Sequence, residues 1–98
     1  MSKYESVIIM NPKINNKDLE KIINNVIEII YNGGLGENNF EKTEDLGIKK
    51  LAYEIQGQKE GHYVSFYFKS EERLIDKIEQ FYKNENNIMK FIIMRTED

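Results

Sequence analysis

The order in which the hydrophobic period changes along this chain constrains its fold more than any other feature. Apolar residues alternate from Tyr4 to Met10, then recur at three- and four-residue spacing from Leu19 to Ile30. They alternate again from Ile48 to Ile55 and from His62 to Lys69, return to helical spacing from Leu74 to Tyr82, and alternate once more from Ile88 to Met94. Alternation puts successive side chains on opposite faces of a strand, whereas a period of about 3.6 lines them along one face of a helix. The chain therefore reads β-α-β-β-α-β. Its 98 residues are one domain's worth, with room for a single core between two layers.

Local signals punctuate this order. Asn11-Pro12 closes the first strand, because proline has no amide to give to a ladder. Asn15 or Asn16 suits the cap of the first helix, with Asp18 and Glu20 in its positive first turn. Leu19, Ile22, Ile23, Val26, Ile27 and Ile30 form its apolar stripe, and Asn32-Gly33-Gly34 ends it. Residues 37–46 are polar and without clear period, Phe40 being their candidate for the core. Gly47 marks a bulge or bend, and Leu51, Tyr53 and Ile55 then share one face. Residues 57–61 read as a turn, Ser70 as the cap of the second helix, residues 84–87 as its end, and residues 95–98 as a short tail. Two β-α-β halves with right-handed crossovers predict an α+β, ferredoxin-like β-α-β-β-α-β sandwich. Its four-stranded antiparallel sheet has order 4-1-3-2 and carries both helices on one face.

That architecture makes one pattern anomalous. Ile8, Met10, Val64, Phe66, Phe68, Phe91 and Ile93 fall on the face turned toward the helices. The other face of such a sheet is ordinarily polar, yet here it receives Val7, Ile9, Tyr63, Tyr67, Ile92 and Met94. Either a protein partner or a second copy covers these residues, or long side chains such as Glu5 and Lys90 screen them.

Composition narrows the function. The chain has no cysteine, which excludes disulfides, thiolate metal sites and cysteine catalysis. It has one histidine, His62, with no second histidine to complete a familiar metal set. Its carboxylates sit in turns and on helix faces, where solvation explains them better than an acid–base pair. Gly33-Gly34-x-Gly36 follows a helix instead of opening one and so fails as a phosphate loop. Gly61–Phe68 loosely echoes the aromatic third strand of RNA-recognition motifs, but Glu60 stands where that signature has a basic residue. No enzyme, metal or cofactor is expected. Nor is a membrane: no apolar run approaches the ~20 residues of a span, and residues 1–5 lack the leader of a signal peptide. The expectation is a cytoplasmic protein. A net charge of −3 disfavours a broadly basic nucleic-acid binder, although binding depends on where the lysines stand.

The lysines that matter are in Gly47-Ile48-Lys49-Lys50-Leu51-Ala52-Tyr53-Glu54-Ile55. Lys49 and Lys50 are either a solvated pair at a strand end or a phosphate contact held by a rigid strand. This glycine, basic pair, Leu-Ala-Tyr and isoleucine resemble the central motif of the sixth small-subunit ribosomal protein family of bacteria. The resemblance runs from Lys3 to Arg95 and includes Tyr4-Glu5, Asn11-Pro12, Gly61-x-Tyr63 and Asn87-Ile88-x-Lys90. Glu54 stands where many members have proline, and Lys90 where arginine is usual, which keeps the charge but loses the bidentate fork.

The resemblance implies a non-catalytic constituent of the small ribosomal subunit. Such a protein binds the central domain of small-subunit ribosomal RNA together with the basic eighteenth small-subunit protein, with no role on DNA or membranes. It implies RNA contacts at Lys3, Lys49, Lys50, Lys90 and Arg95, and a partner surface on the open sheet face, at Val7, Ile9, Tyr63, Tyr67, Ile92 and Met94. The rival reading is a ligand-binding or regulatory module of the same fold, without RNA.

Overall fold

The structure, a computed structural model, describes residues 2–32 and 39–97, with Glu97 described by its backbone alone. The glycines read as the stop of the first helix, Gly33 and Gly34, and the rest of residues 33–38 lie outside the described residues. The elements are β1 (Ser2–Met10), α1 (Asn16–Asn32), β2 (Phe40–Ile55), β3 (Gln58–Ser70), α2 (Glu72–Asn84) and β4 (Ile88–Glu97). The strands form one sheet ordered β2-β3-β1-β4, which is the expected order read from its other edge. Every pairing in it is antiparallel.

The helices start as their first residues dictate, in two different ways. Asn15 caps α1: its side-chain oxygen accepts the Asp18 N–H at 2.8 Å, satisfying a donor that has no partner within the helix. Ser70 does not cap α2, contrary to the sequence reading. It is the last residue of β3, paired with Ser2 and buried, and its hydroxyl donates to the Glu71 carbonyl at 2.8 Å. The helix starts one residue later, behind Glu71, without a side-chain cap.

The core lies between the helices and one sheet face. Leu19, Ile22, Val26 and Ile30 descend from α1, and Leu74, Ile78 and Tyr82 from α2. They meet Ile8, Met10, Val64, Phe66 and Phe68, with Phe91 and Ile93 at the margin, so the face assigned to the helices is the face they cover. Each fully buried side chain of this size stabilises the fold by about 1.5–3 kcal/mol. Tyr82 reaches across the layer: its hydroxyl is 2.7 Å from Ser6 Oγ, and its ring lies 5.1 Å from that of Phe91. Burial pushes the pKa of the Tyr82 phenol far up, with the Ser6 contact opposing. Tyr82 thus enters the core as a neutral hydrogen-bonding group.

Two strands are longer than their patterns suggest. The polar stretch after Phe40 belongs to β2, and residues 58–61, read as a turn, belong to β3. The turn is instead the two residues Gln56 and Gly57, with φ of 50° and 78°. Positive φ at both central positions matches the right-handed twist of a hairpin. Residues 95–97, read as a tail, continue β4, with Arg95 opposite Tyr4.

Candidate nucleic-acid interface

Paired residues in an antiparallel sheet share a face, so the register decides which side chains meet on the uncovered side. One row there is Lys42, Tyr67, Glu5 and Met94. The next is Glu44, Ser65, Val7 and Ile92, and the third is Gly47, Tyr63, Ile9 and Lys90. Ile92 and Met94 are each 43% exposed, and Val7, Tyr63 and Tyr67 are half-buried. Ile9 differs from the other residues assigned to this surface, because only 6% of it is exposed. Leu51 is its cover: Leu51, Ile9 and Met89 converge over Gly61, where an added methyl group would collide with Ile9 Cγ2. Leu51, beside Gly61, and Tyr53, bonded to Lys90, turn to the open face, but the register shifts between Lys50 and Ile55, so the alternation read from sequence does not run unbroken to Ile55.

Lysine–tyrosine pairs border this apolar centre. Lys42 Nζ lies 4.8 Å from the centroid of the Tyr67 ring, and Lys49 Nζ lies 5.9 Å from that of Tyr63. Lys90 Nζ donates to the Tyr53 hydroxyl at 2.8 Å, reaching from β4 to the end of β2. The arrangement has the anatomy of a binding surface, with an aliphatic middle and a rim of cations and aromatic rings. Tyr67 is the rim's acidic exception. Partial desolvation first, and then the charges of Glu5 and Glu44, push its phenol above the ordinary value.

The five cations assigned to RNA do not form one patch. Lys49 and Lys90 stand at the same end of the open face, through the pairings Lys49–Gly61 and Ile9–Lys90. Lys50 is opposite Glu60 on the other side of the sheet. Lys3 is on the open face but at its far end, about 20 Å away along β1, with its ammonium 4.0 Å from Glu41. Arg95 turns to the helix side, 6.0 Å from the Tyr4 ring, in a cleft it shares with Glu72, Asp76 and Glu79.

The sequence reading missed a second cluster beside the lysine motif. Asp45 Oδ1 accepts the Gly47 N–H at 2.9 Å and lies 2.6 Å from His62 Nε2. Desolvation would raise the Asp45 pKa, but the Gly47 N–H and the His62 ring outweigh it and hold the carboxyl below its ordinary value of 3.8. An aspartate two residues before a suspected bulge glycine was the available signal.

No group of metal-binding residues occurs among the described residues, and no helix among them is long and apolar enough to cross a membrane. Grooves of about 420 Å³ lie between α1 and α2, lined by Ile29, Leu74 and Phe81 among others, and between β4 and α2. Both are on the helix side, away from the apolar sheet face.

Comparison with known proteins places the sequence and the fold in one family. The family described as ribosomal protein S6 matches residues 3–95. Small ribosomal subunit protein bS6 of Phytoplasma mali is 31% identical over 97 residues, covering 99% of this chain and 100% of the relative. The bS6 protein of Caldanaerobacter subterraneus subsp. tengcongensis is 30% identical over the full length of both chains. The crystal structure of 30S ribosomal protein S6 from Thermotoga maritima superposes with a TM-score of 0.86 at 30% identity, covering 96% of this chain and 86% of that one.

Proposed function

The chain belongs to the ribosomal protein S6 family of the small ribosomal subunit, and from that premise we propose that it holds the central domain of small-subunit ribosomal RNA jointly with the eighteenth small-subunit protein. Its work is structural: it catalyses nothing, needs no cofactor, and acts in the cytoplasm as part of the ribosome. The observation that carries this reading is the uncovered sheet face, where the apolar rows of Val7, Ile92 and Met94 adjoin an end marked by Lys49–Tyr63 and Lys90–Tyr53.

A basic protein suits the aliphatic middle of that face and the carboxylates Glu5 and Glu44 at one end of it. RNA phosphates suit the other end, where Lys49 and Lys90 stand together and Lys50 follows on the reverse side. Lys3 and Arg95 are a second, separate contact, at the far end of the sheet. In this division the lysines fix register on the phosphate backbone, and selectivity comes from the shape of the folded RNA. Net acidity is no obstacle, because a basic partner bound beside the lysines reduces repulsion from the RNA.

Replacing both Lys49 and Lys90 by alanine tests the first contact. Affinity for a central-domain RNA fragment is expected to fall, and the slope of log affinity against log salt to become shallower by about 0.7 for each phosphate that is no longer neutralised. An unchanged slope removes these lysines from the RNA interface. The rival ligand-binding module would place a small-molecule pocket on the sheet face or in a homodimer cleft, whereas the two grooves described above lie on the helix side.

A further inference from the structure

The RNA reading depends on which side of β2 Lys49 occupies, and strict alternation would put it on the wrong one. Asp45 pairs with Val64, on the helix side of the sheet. Without an interruption Gly47 and Lys49 would share that side. Instead Gly47 is opposite Tyr63, so Leu46 is an extra residue against β3 and the side chains from Gly47 to Lys50 change face. This bulge is what brings Lys49 to the open face, beside the Tyr63 ring, and sends Lys50 to the reverse side.

Two groups hold the bulge from both directions. The Asp45 carboxylate stands before it, and by accepting the Gly47 N–H it bridges the extra residue along its own strand. The same oxygen meets the ring of His62, which is opposite Ile48 and therefore lies across the sheet from the first residue beyond the bulge. Gly47 permits the bend, with a φ of 76° that side chains other than glycine rarely adopt. The flanking β2 residues are exposed and cannot pin register by burial, since Leu46 is 38% and Ile48 53% exposed.

We propose that Asp45 and His62 are positioning residues that lock the β2 bulge and so place Lys49 on the RNA-facing side of the sheet. This rests on the reading of Lys49 as a phosphate contact and adds residues that touch no RNA themselves.

The test compares Asp45→Ala, Asp45→Asn and His62→Phe in the full chain, with two readouts. Cross-strand nuclear Overhauser contacts in the free protein report whether Lys49 stays opposite Gly61. Titration of a central-domain RNA fragment across a salt series reports the phosphate contact. In Asp45→Ala and His62→Phe the Lys49–Gly61 contacts are expected to weaken, affinity to fall about tenfold, the scale of one charge-assisted contact, and the salt slope to become shallower. Asp45→Asn is expected to restore both, because its amide oxygen accepts the same two hydrogen bonds. A purely structural role lowers the unfolding temperature without moving Lys49. Unchanged Lys49–Gly61 contacts in either disruptive variant overturn the proposal. Displaced contacts in a protein whose wild type fails to bind the RNA support the clamp and overturn the phosphate reading it serves.

Discussion

At the scale of single residues, one buried polar pair and one exposed carboxylate give sharp consequences. Ser6 and Tyr82 are 0% and 1% exposed, and their side chains hydrogen-bond to each other across the core layer. Ser6→Ala strands the Tyr82 hydroxyl in an apolar site, and urea unfolding is expected to show a destabilisation of about 1–3 kcal/mol. Asp45 gives a pH dependence whose sign follows from its lowered pKa. Its stabilising contribution is full above the ordinary carboxylate value and is lost as pH falls through the lower, folded value. The stability difference between wild type and Asp45→Ala is therefore expected at neutral pH and should shrink as pH falls below the ordinary carboxylate value of 3.8. A difference that grows on acidification would contradict the assignment. Neither pair was legible in the sequence. Ser6 lies 76 positions from Tyr82, and no period links a hydroxyl on a strand to a phenol on a helix.

At the scale of elements, legibility followed burial. The helices and β1 were readable because each buries a stripe or a face, and burial writes a period into sequence. The first half of β2 wrote none. It is an edge strand, paired only to β3, and Glu41, Lys42, Glu44 and Asp45 are charged on both of its faces. Such charge protects an edge against pairing with other chains, and it also erases alternation. Residues 58–61 look like a turn in sequence for a related reason: β1 pairs with β3 only as far as His62, so the hairpin runs on past the sheet without its own core. The real turn has glutamine at a position of positive φ, where asparagine is better tolerated. Gln56→Asn is expected to raise stability by up to about 1 kcal/mol, and Gln56→Val to lower it, both readable as shifts in unfolding temperature.

At the scale of the molecule, the topology and the two faces of the sheet were legible, and the distribution of charge was not. A resemblance assigns cations position by position. The bulge at Gly47 and the register of β4 decide that Lys49 and Lys90 stand at the same end of the open face while Arg95 faces α2. The apolar face has a consequence of its own. Because Ile92 and Met94 are outside the core, the double change Ile92→Asp, Met94→Asp is expected to alter stability by less than about 1 kcal/mol yet abolish binding to the eighteenth small-subunit protein. Equilibrium unfolding and a direct binding titration separate these effects.

The central claim is that this chain and its basic partner hold RNA together. The most direct measurement is affinity for a central-domain small-subunit RNA fragment, with and without the folded eighteenth protein, across a salt series. The account predicts weak binding alone, binding at least about tenfold tighter with the partner present, and a slope that becomes shallower when Lys49 and Lys90 are removed. Equal affinity with and without the partner, or no binding in either condition, would contradict it.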